Sequence, residues 1–142
     1  MYLWGPPGTG KSQTAVWVGN ILSRMGVDGE WMSAPNAIQQ MRESYSGDKE
    51  SWIAKMARWV SVPFLVVDDI GAEGSGKDVS DFLYRIADAR HNAMLATIYT
   101  SNVGPTLLGN SGMDPRTVSR ISSGVAIELT GRDRRKTSDY NG

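Results

Sequence analysis

The chain has 142 residues, enough for one compact domain with a sizeable core, and 40% of them are hydrophobic while 21% are charged. This balance excludes a disordered chain, and no run of about eighteen apolar residues indicates a membrane span. Fifteen basic and fifteen acidic residues give a formal net charge of zero, so the chain has no overall basic character of the kind that binds nucleic acid.

The absence of cysteine excludes disulfide bonds and thiolate metal sites. The N-terminal residues also lack a basic region followed by a long apolar core, so they do not resemble a secretory signal. Together these two features favour a cytoplasmic protein with no membrane partner.

Apolar periodicity and turn residues predict strands that alternate with helices along the chain. The predicted strands span residues 1–4, 30–33, 64–67, 94–99 and 125–129. The predicted helices span residues 12–25, 36–45, 51–60 and 79–91, and a further helix opens at Asp114-Pro115. We therefore expect one α/β domain over residues 1–142, with a mostly parallel sheet covered by helices on both faces.

A phosphate-loop motif lies between the first predicted strand and the first predicted helix. Gly5-Pro6-Pro7-Gly8-Thr9-Gly10-Lys11-Ser12 fits the pattern G-x-x-x-x-G-K-[ST]. In this motif the glycines let backbone amides surround phosphate oxygens, the lysine reaches the β- and γ-phosphates, and the serine hydroxyl ligates Mg²⁺. A glycine-rich turn with a solvated lysine is the alternative, and about 1 in 200 chains of this length would match by chance.

The third predicted strand, Phe64-Leu65-Val66-Val67, leads directly into Asp68 and Asp69. Ligands of parallel sheets bind at the carboxyl ends of the strands, and a carboxylate close to a core is costly unless a cation meets it. Asp68 can hold the metal and Asp69 can polarise the attacking water as a general base. A solvated turn or a helix cap is the alternative, and Glu73 either assists this pair or faces water.

Polar residues later in the chain add candidates for catalysis. Asn102 follows the fourth predicted strand, where an amide can orient a lytic water, although the same residue types also make ordinary turns. Arg116 and Arg120 share one face of the last predicted helix, from which an arginine could enter a neighbouring subunit's site in trans, or could simply form surface ion pairs. Residues 131–136 are rich in arginine and could place one over the nucleotide in cis or form a solvated tail.

Taken in order, these motifs resemble the AAA+ ATPase domain of the bacterial and phage replicative helicase loaders (DnaC/DnaI-like), and the IstB-type transposition helper ATPases are similar. The resemblance covers nearly the whole chain and rests on the phosphate loop, Asp68-Asp69-Ile70-Gly71-Ala72-Glu73, Thr100-Ser101-Asn102, Ser119-Arg120-Ile121 and Gly131-Arg132-Asp133-Arg134-Arg135. It implies a three-layer αβα core with a five-stranded sheet and no helical lid domain.

The resemblance also implies a role for each matching residue. Asp68 and Asp69 form Walker B, and Mg²⁺ is held by Ser12 and Asp68. Asn102 is sensor 1, and Lys11 and Asp69 take part in catalysis. Three arginines complete the site: Arg120 as the arginine finger, Arg116 beside it, and Arg135 as the sensor 2 arginine. The residues implied to bind ATP are Gly5, Pro6, Pro7, Gly8, Thr9, Gly10, Lys11, Ser12 and Gln13.

The function implied by the resemblance is helicase loading in DNA replication. Such a protein couples ATP binding and hydrolysis to placing a replicative ring helicase on single-stranded DNA, and it self-associates through its arginine finger. A transposition helper ATPase, a nucleotide-gated binding module with little turnover and a small-molecule phosphotransferase are the alternatives. Met1 falls almost on the first predicted strand, so the N-terminal, helicase-binding region that the resemblance implies is expected to be missing from this chain, which is either a fragment or unusually short.

Overall fold

The apolar segments form a five-stranded sheet in the computed structural model, which describes residues 1–72 and 76–134. The strands are β1 (Tyr2–Trp4), β2 (Gly29–Ser33), β3 (Phe64–Ile70), β4 (Ala96–Ser101) and β5 (Ala126–Glu128). Their order across the sheet is β2-β3-β4-β1-β5, and every neighbouring pair is parallel. The expected parallel sheet of five strands is thereby confirmed.

Helices cover both faces of this sheet. Within the described ranges they are α1 (Lys11–Arg24), α2 (Ala34–Ser44), α3 (Lys49–Ser61), α4 (Lys77–Asn92), α5 (Pro105–Asn110) and α6 (Pro115–Ile121). The three-layer αβα core is therefore confirmed. In the part of the chain that the structure describes, no helix combines the length and the apolar character needed to cross a membrane.

Strand β3 is buried on both faces, which explains its unbroken apolar run. Leu65 and Val67 belong to the larger core, which also contains residues of α2 and α4. Phe64 and Val66 point to the opposite face and pack in a smaller core with Ala15 of α1. Successive side chains of a strand alternate between faces, so one strand of β-branched and aromatic residues joins the two cores.

Strand β4 lies two residues further along the chain than the predicted strand 94–99. Met94 is 92% exposed and has a left-handed backbone with φ of 53°, so it belongs to the turn that follows α4. Because Met94 and Leu95 are apolar, the sequence pattern assigned them to the strand and not to a turn. As a consequence Thr100 and Ser101, which the sequence placed after the strand, lie within the sheet and are buried.

Helix α5 was missed by the sequence analysis. It is six residues long, begins with Pro105 in the first turn, and buries Leu108 as its anchor in the core. A helix with one buried residue has no apolar repeat, and its remaining residues read equally well as a turn. Local composition therefore gave no signal for it.

A buried arginine joins the end of α3 to the start of β4. Arg90 in α4 is fully buried, and its guanidinium group donates hydrogen bonds of 2.8 Å to the carbonyl oxygens of Trp59, Val62 and Ala96 and to the hydroxyl of Thr97. Burial lowers the pKa of Arg90. These acceptors are neutral, so their number has to compensate for the removal of the charge from water.

Replacing Arg90 by methionine should destabilise the fold, because two buried carbonyl oxygens and one partly buried one lose their donor while the apolar stem is kept. We expect Arg90→Met to lower the free energy of unfolding by about 3 kcal/mol. The matched control is Arg24→Met, an exposed arginine in the last turn of α1, which should cost less than about 1 kcal/mol. Urea denaturation measures both values, and equal losses would contradict the role assigned to Arg90.

Candidate nucleotide-binding site

A cavity of about 760 Å³ opens at the carboxyl edge of the sheet, where β3 and β4 end beside the start of α1. It is lined by Pro7, Gly8, Gly10, Lys11, Ser12, Gln13, Asp68, Asp69, Thr100, Asn102 and Arg134. Most of the sequence-predicted site residues are therefore brought together in one place. A larger groove of about 970 Å³ between α2, α3 and α4 is mostly apolar and holds none of them.

The phosphate loop has a conformation that requires glycine. Gly8 and Gly10 adopt left-handed backbones with φ of 79° and 96°. A β-carbon on Gly8 would collide with the side chain of Asp133, and one on Gly5 would collide with the carbonyl oxygen of Leu129. The loop is thus held between the core and the segment that follows β5. Helix α1 begins at Lys11, and its N-cap residue Gly10 provides no side-chain cap. The first residues of the helix line the cavity, and amides at an uncapped helix start can bind an anion.

Lys11 is bound to the loop itself. Its ammonium group is largely buried and donates hydrogen bonds of 2.7 Å to the carbonyl oxygen of Gly5 and 2.9 Å to that of Pro6. These neutral acceptors keep the positive charge at the base of the cavity. Phosphate oxygens would be stronger acceptors, because hydrogen bonds between ionised groups are shorter and stronger than bonds to a neutral carbonyl. Gly5, Pro6 and Thr9 shape the loop and do not line the cavity.

The hydroxyl group of Ser12 meets the carboxylate of Asp68, although the two residues are 56 positions apart. Ser12 Oγ donates a hydrogen bond of 2.8 Å to Asp68 Oδ1. The same oxygen accepts a bond of 2.6 Å from Thr100 Oγ1. Ser12 and Asp68 are the two residues predicted to hold one metal, and their side chains are in direct contact.

Asp69 has an unusual backbone conformation beside Asp68. Its φ is 64°, a left-handed value that aspartate tolerates better than most residues, and the register between β3 and β4 shifts at this point. The backbone N–H of Asp69 donates a 2.9 Å hydrogen bond to Thr100 Oγ1. Asn102 Nδ2 donates a longer bond of 3.3 Å to Asp69 Oδ1. The structure therefore brings together the two residues that the sequence assigned to the attacking water.

Two residues of the cavity were not selected by the sequence analysis. Thr100 and Arg134 lie within the motifs that were recognised, but Asn102 and Arg135 were chosen there instead. The backbone N–H of Arg134 donates a hydrogen bond of 3.0 Å to the carbonyl oxygen of Gly8, and its side chain lines the cavity. Arg135, like Glu73, lies outside the described residues. The signal for Arg134 was the arginine-rich segment itself, in which spacing alone does not single out one arginine.

Arg116 and Arg120 do not line this cavity. Arg120 forms an ion pair of 2.8 Å with Asp88 of α4. Arg116 pairs with Asp114 at 3.1 Å and lies over the ring of Tyr84, with its guanidinium carbon 5.3 Å from the ring centre. The Arg116 guanidinium lowers the pKa of the Asp114 carboxyl group, which also caps α6. Both arginines therefore occupy a surface formed by α4 and α6.

The donor set at the carboxyl edge fits Mg²⁺. Among residues 1–72 and 76–134 there is no group of three or more His, Cys, Asp or Glu side chains that could hold a metal by themselves. Mg²⁺ needs no such group, since it is typically held by one or two protein oxygens together with phosphate oxygens and water. The Ser12 hydroxyl and the Asp68 carboxylate supply two hard oxygen donors in contact with each other. A bound ion would neutralise charge that develops on the phosphates.

A parallel sheet whose first strand enters a helix through a glycine-rich loop, with carboxylates at the end of another strand, defines a phosphate-loop NTPase fold. Residues 1–122 match the family model described as ATPase family associated with various cellular activities (AAA). This match covers most of the chain, and the chain belongs to the AAA family.

Known proteins of similar sequence and fold agree with this assignment. The uncharacterized protein YdaV of Escherichia coli K12 is 29% identical over 119 residues, which are 81% of this chain and 48% of YdaV, so the chain spans about half of this curated relative. The crystal structure of DnaI is 26% identical, with a TM-score of 0.78 over 94% of this chain and 71% of DnaI. The expected resemblance to DnaC/DnaI-like domains is thereby confirmed.

A third match is the replication initiator DnaA bound to AMPPCP and single-stranded DNA. It is 23% identical to this chain, with a TM-score of 0.82 over 93% of this chain and 40% of that chain. At this level of identity the likeness shows a common fold. The DnaI and DnaA structures therefore both share the core described above.

The position of Lys11 leads to a prediction about nucleotide binding. Lys11→Ala should abolish binding of a fluorescent ATP analogue, because the cavity loses the cation at its base. The control Lys55→Ala removes an exposed lysine that bonds to Gln40, away from the cavity, and should leave the affinity unchanged. Fluorescence titration measures both. Thermal unfolding should show that Lys11→Ala is folded, so that a loss of binding reports on the site. Binding that survives in Lys11→Ala within a few-fold of wild type would contradict the site.

Proposed function

We propose that this chain binds Mg-ATP in the cavity at the carboxyl edge of the sheet and hydrolyses it. The observation that supports the proposal most strongly is the 2.8 Å hydrogen bond between Ser12 and Asp68. These are the phosphate-loop serine and the strand-end carboxylate that phosphate-loop enzymes use to hold Mg²⁺. Their contact across 56 residues of sequence is unexpected for a coincidental glycine-rich turn.

Each residue of the cavity then has a role that its contacts support. Lys11 would exchange the carbonyl oxygens of Gly5 and Pro6 for phosphate oxygens, and Asp68 and Ser12 would hold the metal. Asp69 accepts the proton of the attacking water, and Asn102, which donates to Asp69, fixes the orientation of that carboxylate or of the water. The released ADP and phosphate leave through the open edge of the cavity.

Arginines from a neighbouring subunit and from this chain itself would complete the site. Arg120 and Arg116 are on the α4–α6 surface, where they pair with acids of the same chain. This placement supports a finger that acts on the nucleotide of a neighbouring subunit in an assembly. In cis, Arg134 lines the cavity and is positioned to contact the nucleotide, with Arg135 next to it in sequence. A single chain should therefore hydrolyse ATP slowly.

The biological role that we propose is helicase loading in DNA replication. It rests on the motif set, on membership of the AAA family and on the likeness to DnaI. The partners would be a replicative ring helicase and single-stranded DNA, the second of which is bound by the DnaA structure of the same fold. ATP turnover would be coupled to the transfer of the ring onto the DNA strand.

The dependence of turnover on assembly tests the arginine finger. Phosphate release per chain should increase with protein concentration and with added single-stranded DNA, and Arg120→Ala should abolish the increase while ATP binding is retained. The loss should reach 10³-fold or more if the finger contributes as it commonly does. Asp88→Ala is the matched control, because it breaks the same ion pair but keeps the guanidinium group.

Asp88→Ala should therefore keep the stimulated rate that Arg120→Ala loses. Equal losses in the two variants would assign the effect to the broken ion pair and remove Arg120 from the site. A rate per chain that does not depend on concentration or on DNA would contradict a site completed in trans.

Transfer of a helicase to a circular single strand tests the loading role. A closed ring cannot thread onto circular single-stranded DNA that has no free end, so it has to be opened. We expect the protein expressed from its complete reading frame, with ATP, to increase the amount of ring helicase recovered on such circles, and Lys11→Ala in that protein to give no increase. Recovery that is equal with and without this protein, while it hydrolyses ATP, would refute the loading role and leave the ATPase proposal intact.

A further inference from the structure

A buried threonine contacts both aspartates of the site through one hydroxyl group. Thr100 in β4 is 1% exposed, and its Oγ1 lies 2.6 Å from Asp68 Oδ1 and 2.9 Å from the backbone nitrogen of Asp69. The roles assigned above do not use this residue.

The register between β3 and β4 explains why one threonine reaches two aspartates. Val67 pairs with Tyr99, and the next pair is Ile70 with Ser101. Two residues of β3, Asp68 and Asp69, therefore lie opposite the single residue Thr100. This is the count of a β-bulge, which bends a strand and re-aims the side chains within it.

The hydrogen of the Thr100 hydroxyl group has one possible direction in this arrangement. A backbone N–H can only donate, so the hydroxyl oxygen has to accept the bond from Asp69. Its own hydrogen is then free to donate, and the nearest acceptor is the carboxylate of Asp68. That bond fixes the position of the Asp68 oxygen that also accepts the bond from Ser12.

We propose that Thr100 is the positioning residue for both carboxylates, holding Asp68 for the metal and the left-handed backbone of Asp69 for the attacking water. The inference rests on the proposed hydrolysis of Mg-ATP and assigns the geometry of its two acids to one hydroxyl group. Serine keeps the hydroxyl, whereas valine keeps the shape and can neither donate nor accept. Thr100→Val should therefore lose the function and Thr100→Ser should retain it.

The matched control is the neighbouring residue of the same strand. Ser101 is also buried, and its hydroxyl donates a 2.7 Å bond to the carbonyl oxygen of Ile70 and accepts a 3.2 Å bond from the N–H of Val103. It bonds to neither aspartate through its side chain. Ser101→Ala removes a buried hydroxyl group from the same strand and should leave the two acids in place.

Amide hydrogen exchange of the ligand-free protein tests the contact without any nucleotide. The Asp69 amide should exchange slowly in wild type, in Thr100→Ser and in Ser101→Ala, and about tenfold or more faster in Thr100→Val. An Asp69 amide that exchanges at the open-chain rate in the wild-type protein would overturn the inference without recourse to any variant. If Thr100→Val does not fold, Thr100→Ala serves in its place.

The Mg²⁺ requirement tests the consequence for the site. Binding of a fluorescent ATP analogue in the presence of a chelator should be equal in wild type, Thr100→Val and Ser101→Ala, because the phosphate loop is untouched. The Mg²⁺ concentration for half-maximal turnover should increase at least tenfold in Thr100→Val and kcat should fall, while KM for Mg-ATP at saturating Mg²⁺ changes little. Thr100→Ser should have the Mg²⁺ requirement and the kcat of the wild-type protein.

The outcomes separate this inference from the function on which it rests. Wild-type protein that binds no ATP analogue would overturn the proposed function and the inference with it. Wild-type protein that binds and hydrolyses ATP, with an unchanged Mg²⁺ requirement and kcat in Thr100→Val, would overturn only the inference. A loss in stability alone, shared with Ser101→Ala, would also count against it, because a purely structural hydroxyl predicts that result.

Discussion

Two hydrogen bonds that converge on one oxygen of Asp68 connect the three elements from which the cavity is built. One comes from Ser12 at the start of α1 and the other from Thr100 near the end of β4, while Asp68 itself belongs to β3. This convergence requires the strand order β3-β4-β1, because only then do the ends of β3 and β4 lie next to the loop that follows β1. The register matters as much, since a shift of one residue in β3 would turn its side chains to the opposite faces.

This arrangement requires a local departure from regular strand geometry. Asp69 has a left-handed backbone, which costs of order 1 kcal/mol or more and persists only where the surrounding structure enforces it. The enforcement comes from both sides of the bulge. Leu65 and Val67 fix the start of the segment in the core, and Ile70, which is 1% exposed, fixes its end in the same core.

The sequence was sufficient to predict the fold and the site residues wherever the signal is local. Apolar periodicity predicted the alternation of strands and helices, and the phosphate loop and the Asp68-Asp69 pair were recognised because their spacing is contained in a few residues. The sequence was insufficient where the position of a residue depends on the register between two strands. The left-handed turn at Met94 moved β4 along the chain, and this shift decided that Thr100 would be buried beside the two acids. No pattern within β4 could reveal that, because the bulge is a property of the pairing between two strands. Arg134 could not be singled out from the arginine-rich segment because its place at the cavity depends on its contact with Gly8, which is remote in sequence.

The ion pair between Arg120 and Asp88 has a consequence for how the surface formed by α4 and α6 attracts an anion. Because the guanidinium charge is already balanced within 3 Å, it contributes little to the electrostatic field a Debye length of about 10 Å away. The attraction between Arg120 and a distant anion is therefore weak, and the residue gives little orientational guidance during diffusion. Its charge becomes available only to an anion that is close enough to compete with Asp88 for the same donors. Long-range attraction and short-range binding are therefore separated in distance at this arginine.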